Sequence, residues 1–433
     1  MNTMKKQTKP LRWVKLDNAA KIYPAARRKN WSNLFRQSVT LKEDVDVQVL
    51  EQALKVVVKR FPTIAARLRK GAFWYYLQQI STPVQISSEY SYPMAHMTNK
   101  QMRQCAFRVI VYHNRIALEF FHALTDGTGA LIFLKNLVAE YLEQKHGIQI
   151  PLEHGILDRK APPTEEEMTD CFPKFAGPVS APRKDTNAWQ MTGLGQADGF
   201  MYLTCFQIPV AEALKVAHQY GVTLTVFFSA VMMLSLYNMQ AEQIPEARRQ
   251  KRIKLLIPIN LRKLYGCHTL RNFAMFTVPE LDPRLGAYTF EEICQVIVHK
   301  MGTDFTQKHM SQVIATNVSS EQNPLVRLIP LPIKNAVMKA VFNSVGEKKC
   351  CLSLSNLGQV KVPSIMEDYI QRFDFIIGVQ ATSPYNCGML SFGDTAYINF
   401  IRNMQNPALE RHFYAVLQQF GIPVTVESNR NGR

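Results

Sequence analysis

The stretch Ile116-Ala117-Leu118-Glu119-Phe120-Phe121-His122-Ala123-Leu124-Thr125-Asp126-Gly127 decides the reading of this chain. A largely apolar run of strand type ends in an imidazole, an aspartate stands four residues on, and a glycine closes the unit. Beyond it Leu131, Leu134, Leu137, Val138 and Tyr141 recur at helical spacing. His122 therefore sits on a strand-to-helix connection, where rigid elements present a side chain that the loop leaves open for chemistry. An imidazole titrates near about 6.5, so His122 can act as a general base close to neutral pH. Asp126 can hold the loop by accepting hydrogen bonds or by pairing with an arginine. Gly127 permits a turn that a side chain would block.

His-x-x-x-Asp by itself is a weak pattern, and the chain holds a second copy, His154-Gly155-Ile156-Leu157-Asp158. Context separates the two. The first follows an apolar run and is closed by Gly127, with Gly129 soon after. The second lies in a polar stretch and is closed by Arg159. A lone histidine is more often an ordinary buried ring satisfied by hydrogen bonds than a catalyst. The Asp126-Gly127 context tips the balance for His122.

Working outward, Val47, Leu50, Leu54, Val57, Val58 and Phe61 fall on one helical face, and Pro62 ends that helix. Residues 72–77 read as a strand. Residues 107–112 and 116–121 read as a hairpin turning at His113-Asn114-Arg115. Residues 151–200 change character, with six prolines and a run of three glutamates at 165–167, and read as a crossover linker. The later half mixes strands near 202–208, 253–259, 351–355, 373–379, 388–392 and 396–400 with helices from Pro209, after Thr223, around 290–305 and over 407–420. A short run at 422–426 closes the chain. The fold class expected is α/β in the α+β sense, with domains at 1–160 and 201–433 and the linker at 161–200 between them.

The chain has 433 residues, 47% of them hydrophobic, enough to bury two cores. Eight cysteines without a C-x-x-C pair predict a reduced, cytoplasmic protein with no metal site. The start, Met1 to Lys6, lacks the apolar core of a signal peptide. The uncharged run from Gly221 to Met239 carries Thr223, Thr225, Ser229, Ser235 and Asn238, so it reads as a buried core helix and not a bilayer span. A net charge of +17, with clusters at Arg27-Arg28-Lys29, 248–252 and Lys348-Lys349, favours anionic partners. No zinc-finger or RRM-type motif accompanies it, so nucleic acid is not expected as a partner. A phosphate-bearing acyl donor, an acidic carrier protein or peripheral contact with an anionic membrane all fit that charge.

His122–Gly127 resembles the HxxxDG signature of the chloramphenicol-acetyltransferase-like superfamily, which includes alcohol O-acetyltransferases and the condensation domains of peptide synthetases. Lys59-Arg60-Phe61-Pro62-Thr63 resembles its early helix end. Pro258-Ile259-Asn260-Leu261-Arg262, with Asn272 downstream, resembles its central P-x-N-x-R…N segment. Ser355-Asn356-Leu357-Gly358 resembles its late S-N-x-G turn. The resemblance implies two sandwich domains of the same fold with a substrate tunnel between them. It also implies transfer of an acyl group from acyl-CoA to an alcohol, with His122 as base, no covalent intermediate and no bound cofactor or metal. Ser355 or Asn356 would serve the oxyanion, Asn260 would position substrate, and either Arg67 or Arg262 would pair with Asp126. A thioester on an acyl carrier protein is the alternative donor, and a non-catalytic protein that binds an acyl chain or lipid is a third reading. The protein is expected to act as a monomer. Phe121 stands where many relatives carry a first histidine, Arg67 is displaced behind Ala65-Ala66, and Ser391-Phe392-Gly393-Asp394 only loosely echoes the DFGWG motif of the plant branch.

Overall fold

The computed structural model describes residues 13–27, 33–89, 92–179, 186–195, 199–341, 347–379 and 383–430. Met1–Lys6, Arg28, Lys29 and Pro182 lie outside the described residues.

The first helix of the sequence reading runs Val47–Arg60 and starts because the Asp46 carboxylate accepts from the Gln48 and Val49 N–H groups at 2.9 and 3.1 Å. It stops at Phe61, whose backbone is pushed out of the helical region by the proline that follows. The hairpin forms over Phe107–Tyr112 and Arg115–Phe121, turning at residues 113–114. A five-stranded sheet grows from it in the order Ile370–Ile377, Leu34–Leu41, Arg115–Phe121, Phe107–Tyr112, Ile86–Ser88. Helices Val47–Arg60 and Gly127–His146 pack together over this sheet. Phe107, Phe120 and Phe133 meet between helix and sheet at centroid distances of 5.5 to 5.9 Å.

Sheet membership departs from chain order in one place. Ile370–Ile377 belongs by position to the later domain, yet it pairs antiparallel along the whole of Leu34–Leu41. It covers an edge that would otherwise be left with unpaired N–H and C=O groups. Gly388 makes room for this crossing: a Cβ there would stand 2.2 Å from the Phe375 carbonyl oxygen. Leu34–Leu41 itself escaped the sequence reading because its centre, Arg36-Gln37-Ser38, is polar. Those side chains are buried, and Arg36 pairs with Glu89 at 2.6 Å and Glu119 at 3.1 Å.

The second sheet is ordered Ala274–Thr277, Ile253–Asn260, Leu352–Gln359, Tyr385–Phe392, Thr395–Arg402, Tyr202–Pro209, Thr425–Ser428, with Glu280–Leu281 also on Ile253–Asn260. Leu352–Gln359 runs parallel to both its neighbours. Helices Leu224–Gln243, Phe290–Asp304 and Ala408–Gln419 pack with it. Leu224–Gln243 is long and apolar enough to cross a membrane, but most of it is inside the protein as a core helix. The segment between the two sheets' strands carries two short helices, Glu165–Met168 and Phe172–Phe175. It sutures the halves: Glu167 takes Arg60 in a two-point ion pair at 2.7 and 2.8 Å, and its carbonyl receives the Leu270 N–H at 2.8 Å. Helices Gln307–Gln322, Pro324–Leu328 and Leu331–Val341 were not expected from the sequence.

Candidate active site

The strand Arg115–Phe121 delivers His122 to the junction of the two halves. Its backbone N–H is fixed on the Asn33 carbonyl at 3.0 Å. The imidazole stacks on Tyr23 with ring centroids 4.4 Å apart and meets the Phe35 ring edge-on at 5.0 Å. Despite these neighbours the residue remains only half-buried. Burial is the largest influence on the ring and holds its pKa below the usual 6.5, against opposing pulls from its own backbone, Asp126 and Asn272. At neutral pH the ring is therefore neutral.

Which nitrogen carries the proton follows from its neighbours. Nδ1 lies 3.1 Å from the Asn272 side-chain oxygen. The Asn272 amide is oriented from behind, because its Nδ2 donates to the buried Asp17 carboxylate at 3.1 Å and its backbone N–H points to the same oxygen at 3.3 Å. That oxygen already accepts the Asn272 backbone N–H, so the amide turns its nitrogen toward Asp17 and its oxygen toward His122. Nδ1 then holds the proton, and Nε2 carries a free lone pair. Asp17 is itself anchored by the Ala20 N–H at 2.7 Å and by Arg271 at 3.6 Å.

Asp126 does not touch the imidazole. It caps helix Gly127–His146, where its Oδ1 accepts the Gly129 N–H at 3.0 Å, and its Oδ2 accepts the Phe273 N–H at 2.9 Å. Arg262 grips both oxygens, at 2.8 and 3.0 Å. Burial opposes ionisation of this carboxyl, but Arg262 and the two backbone donors outweigh it and hold the pKa below the ordinary carboxylate value. Arg262 also donates to the Thr269 and Arg271 carbonyls at 2.6 and 2.5 Å, so one guanidinium ties the Asp126 loop to the segment bearing Asn272. Of the two arginines left open by sequence, Arg262 is the partner. Arg67 lies on strand Ala66–Lys70 and donates to Gln78 at 3.0 Å.

The remaining candidates separate in the same way. Asn260 is occupied at both ends, its oxygen capping the Arg262 N–H at 3.0 Å and its nitrogen on Thr128 at 3.1 Å. Asn356 donates to Thr225 at 2.9 Å and accepts the Gly358 N–H at 2.7 Å, holding a turn where Gly358 has φ of +75°. Both are braces for the backbone. Ser355, half-buried on the strand that runs past the loop, has no hydrogen-bond partner among the described residues and keeps its hydroxyl free to donate.

Gly127 is required for space and not for a special turn: a Cβ there would stand 2.8 Å from a Leu357 methyl. Gly129 is tighter, with a Cβ 2.1 Å from the Thr125 hydroxyl and 2.5 Å from the Leu270 carbonyl. Gly129→Ala is expected to lower stability by about 1–3 kcal/mol, since backbone cannot yield as a side chain can; a thermal melt against Gly127→Ala, expected to be milder, checks it. The second His-x-x-x-Asp lies in a loop, where the Asp158 carboxylate only caps the Lys160 N–H at 2.9 Å. Sequence reasoning passed over Asp17 and Tyr23, which have no motif around them and reach the site only through the fold.

Comparison of the sequence with family models and with curated proteins finds no match. The fold has many solved counterparts. It is similar to polyketide synthase associated protein 5 from Mycobacterium tuberculosis, at 12% identity and TM-score 0.62, over 95% of this chain and 98% of that one. It is similar to TRI3 trichothecene 15-O-acetyltransferase from Fusarium sporotrichioides, at 10% identity and TM-score 0.58, over 96% and 99%. A variant of the starter condensation domain of rhizomide synthetase RzmA, in complex with C8-CoA and Leu-SNAC, matches at 11% identity and TM-score 0.61, over 94% and 93%. Likeness along the full length of these proteins agrees with the resemblance read from the four sequence segments. The likeness is one of fold: the chain is built like these proteins, an acetyltransferase and a condensation domain among them.

Proposed function

We propose that the chain is an acyltransferase that moves an acyl group from a coenzyme A thioester to an alcohol. The observation that carries this reading is the neutral, half-buried His122, whose Nδ1 is held by Asn272 and whose Nε2 is left as a base. Structures with this fold include one with an acyl-CoA bound. Nε2 takes the proton of the acceptor hydroxyl while its oxygen forms a bond to the thioester carbonyl carbon. The electron pair moved onto the carbonyl oxygen is met by the Ser355 hydroxyl. Collapse breaks the C–S bond, and the thiolate recovers the proton from Nε2. Ester and free thiol leave, and His122 is neutral again. Asp126 and Arg262 keep the loop in place and take no proton.

A carrier-protein thioester is the second reading, favoured by the net charge of +17 and by the condensation-domain neighbours. Measuring ester formation with acyl-CoA beside the same acyl group on a carrier protein tests the choice. Activity with acyl-CoA supports the first reading, and activity with the carrier thioester alone replaces it with the second.

The rate should be lost at acid pH and rise to a plateau with an apparent pKa below 6.5, because protonated His122 cannot accept a proton. A profile that still climbs well above pH 6.5 would point to another base. Asn272→Ala removes the group that fixes the tautomer. It is expected to lower kcat about fivefold, in line with one hydrogen bond of roughly 1 kcal/mol, with KM little changed.

A further inference from the structure

Helix Leu331–Val341 buries only Leu331 and a lysine among its described side chains: Lys334 donates to the Phe73 carbonyl at 3.0 Å and lies 3.6 Å from the centre of the Trp74 ring. The residues it presents outward are Pro332, Ile333, Ala336, Val337 and Ala340, all exposed. Ile333, Ala336, Val337 and Ala340 are spaced three and four apart and so share one face. Ile333 is 57% and Val337 55% exposed, and Leu328, at the end of the preceding short helix Pro324–Leu328, is 70% exposed. Phe73, whose carbonyl holds Lys334, is itself 45% exposed. A helix at an ordinary water-facing surface has the reverse arrangement, with aliphatic residues in and lysine out. A contiguous row of wetted aliphatic side chains is unfavourable unless something apolar covers the outer face.

We propose that this face docks on an anionic lipid surface. From Gln322 to Gly346 the sequence carries Arg327, Lys334 and Lys339 and not one Asp or Glu. Arg327 and Lys339 are exposed beside the aliphatic face. Apolar side chains flanked by cations and free of acids are what an interfacial helix needs: the aliphatics enter the acyl boundary and the cations meet phosphates. The chain's charge of +17 draws it to such a surface from a distance. A second copy fits less well, because stacking the same face on itself brings like charges together. The helix packs against Ile22–Ala26, whose Tyr23 stacks on His122. The docked face therefore lies one short helix away from the candidate active site. The inference stands independently of the acyl-transfer reading.

The test is co-sedimentation of the full chain with vesicles of phosphatidylcholine, and with vesicles in which half of the lipid is phosphatidylglycerol. Binding is expected to the anionic vesicles, to weaken with added salt, and to be much weaker on phosphatidylcholine alone. The double substitution Ile333→Asp/Val337→Asp should lower partition onto anionic vesicles at least about tenfold, equivalent to about 1.4 kcal/mol, with an unchanged melting temperature since both sites are exposed. Arg327→Glu/Lys339→Glu should lower it too. The proposal is overturned if the wild-type chain stays in the supernatant with anionic vesicles, if it partitions equally onto both vesicles, or if the Ile333→Asp/Val337→Asp protein binds as the wild type does. A dimer seen by sedimentation that this double substitution dissolves, without vesicle binding, would assign the face to a second copy.

Discussion

His122→Ala is expected to lower acyl transfer by about 10²–10⁴-fold, the range that a positioned general base supplies. The effect should fall on kcat, because Nε2 acts on the proton during bond formation and contributes little to holding either substrate. Folding should persist. The ring's contacts include a stack on Tyr23, an edge on Phe35 and a hydrogen bond to Asn272, and His122 is only half-buried, so water can replace it. Circular dichroism and a thermal melt beside the rate measurement separate a lost base from a lost fold. A His122→Ala protein that keeps its rate would remove the histidine from the chemistry altogether.

Arg262→Leu is expected to be the most damaging single change to stability near the site, at about 3–5 kcal/mol. It strips a buried carboxylate, Asp126, of its two-point partner and leaves the Thr269 and Arg271 carbonyls without a donor. The carboxyl is held below its ordinary pKa in the wild type, so its contribution is present at neutral pH and lost only in acid, as the pH falls through the folded value. The substituted protein should lose part of this pH dependence as well as its stability. Activity should fall with it, because the segment that carries Asn272 is anchored through the same guanidinium. Arg67→Leu, which removes one contact with Gln78 on a half-exposed strand, should change the melt by little. Chemical denaturation of the two variants side by side is the check, and equal losses would contradict the assignment of Arg262 as the anchor.

The parts of this architecture that follow a period were legible in the sequence. Val47–Arg60, the hairpin ending at Phe121 and the helix from Gly127 all announce themselves by apolar spacing, and His122 stands where two of them meet. What escaped does not follow a period. Leu34–Leu41 hides behind Arg36, Gln37 and Ser38, buried polar side chains of which Arg36 pairs with Glu119 and the Gln37 amide donates to the Gly127 carbonyl, both from other elements. The placement of Ile370–Ile377 in the first sheet is a matter of which edge it covers, and no local pattern encodes that. Leu331–Val341 combines a buried lysine with exposed aliphatics, the inverse of what a periodicity argument looks for. Within the site, the residues at motif positions divide by what the fold brings to them. Asn260 and Asn356 meet backbone and side-chain partners on both atoms and become braces. Asp17 lies 255 positions from Asn272, too far for spacing to connect them.

The most direct test of the central claim is release of free thiol from acyl-CoA of varied chain length, measured with and without a panel of alcohols. Acceptor-dependent release by the wild-type protein, abolished in His122→Ala, is the predicted result. Release that ignores the acceptor, or no release with any acyl-CoA and no transfer from an acylated carrier protein, would contradict it.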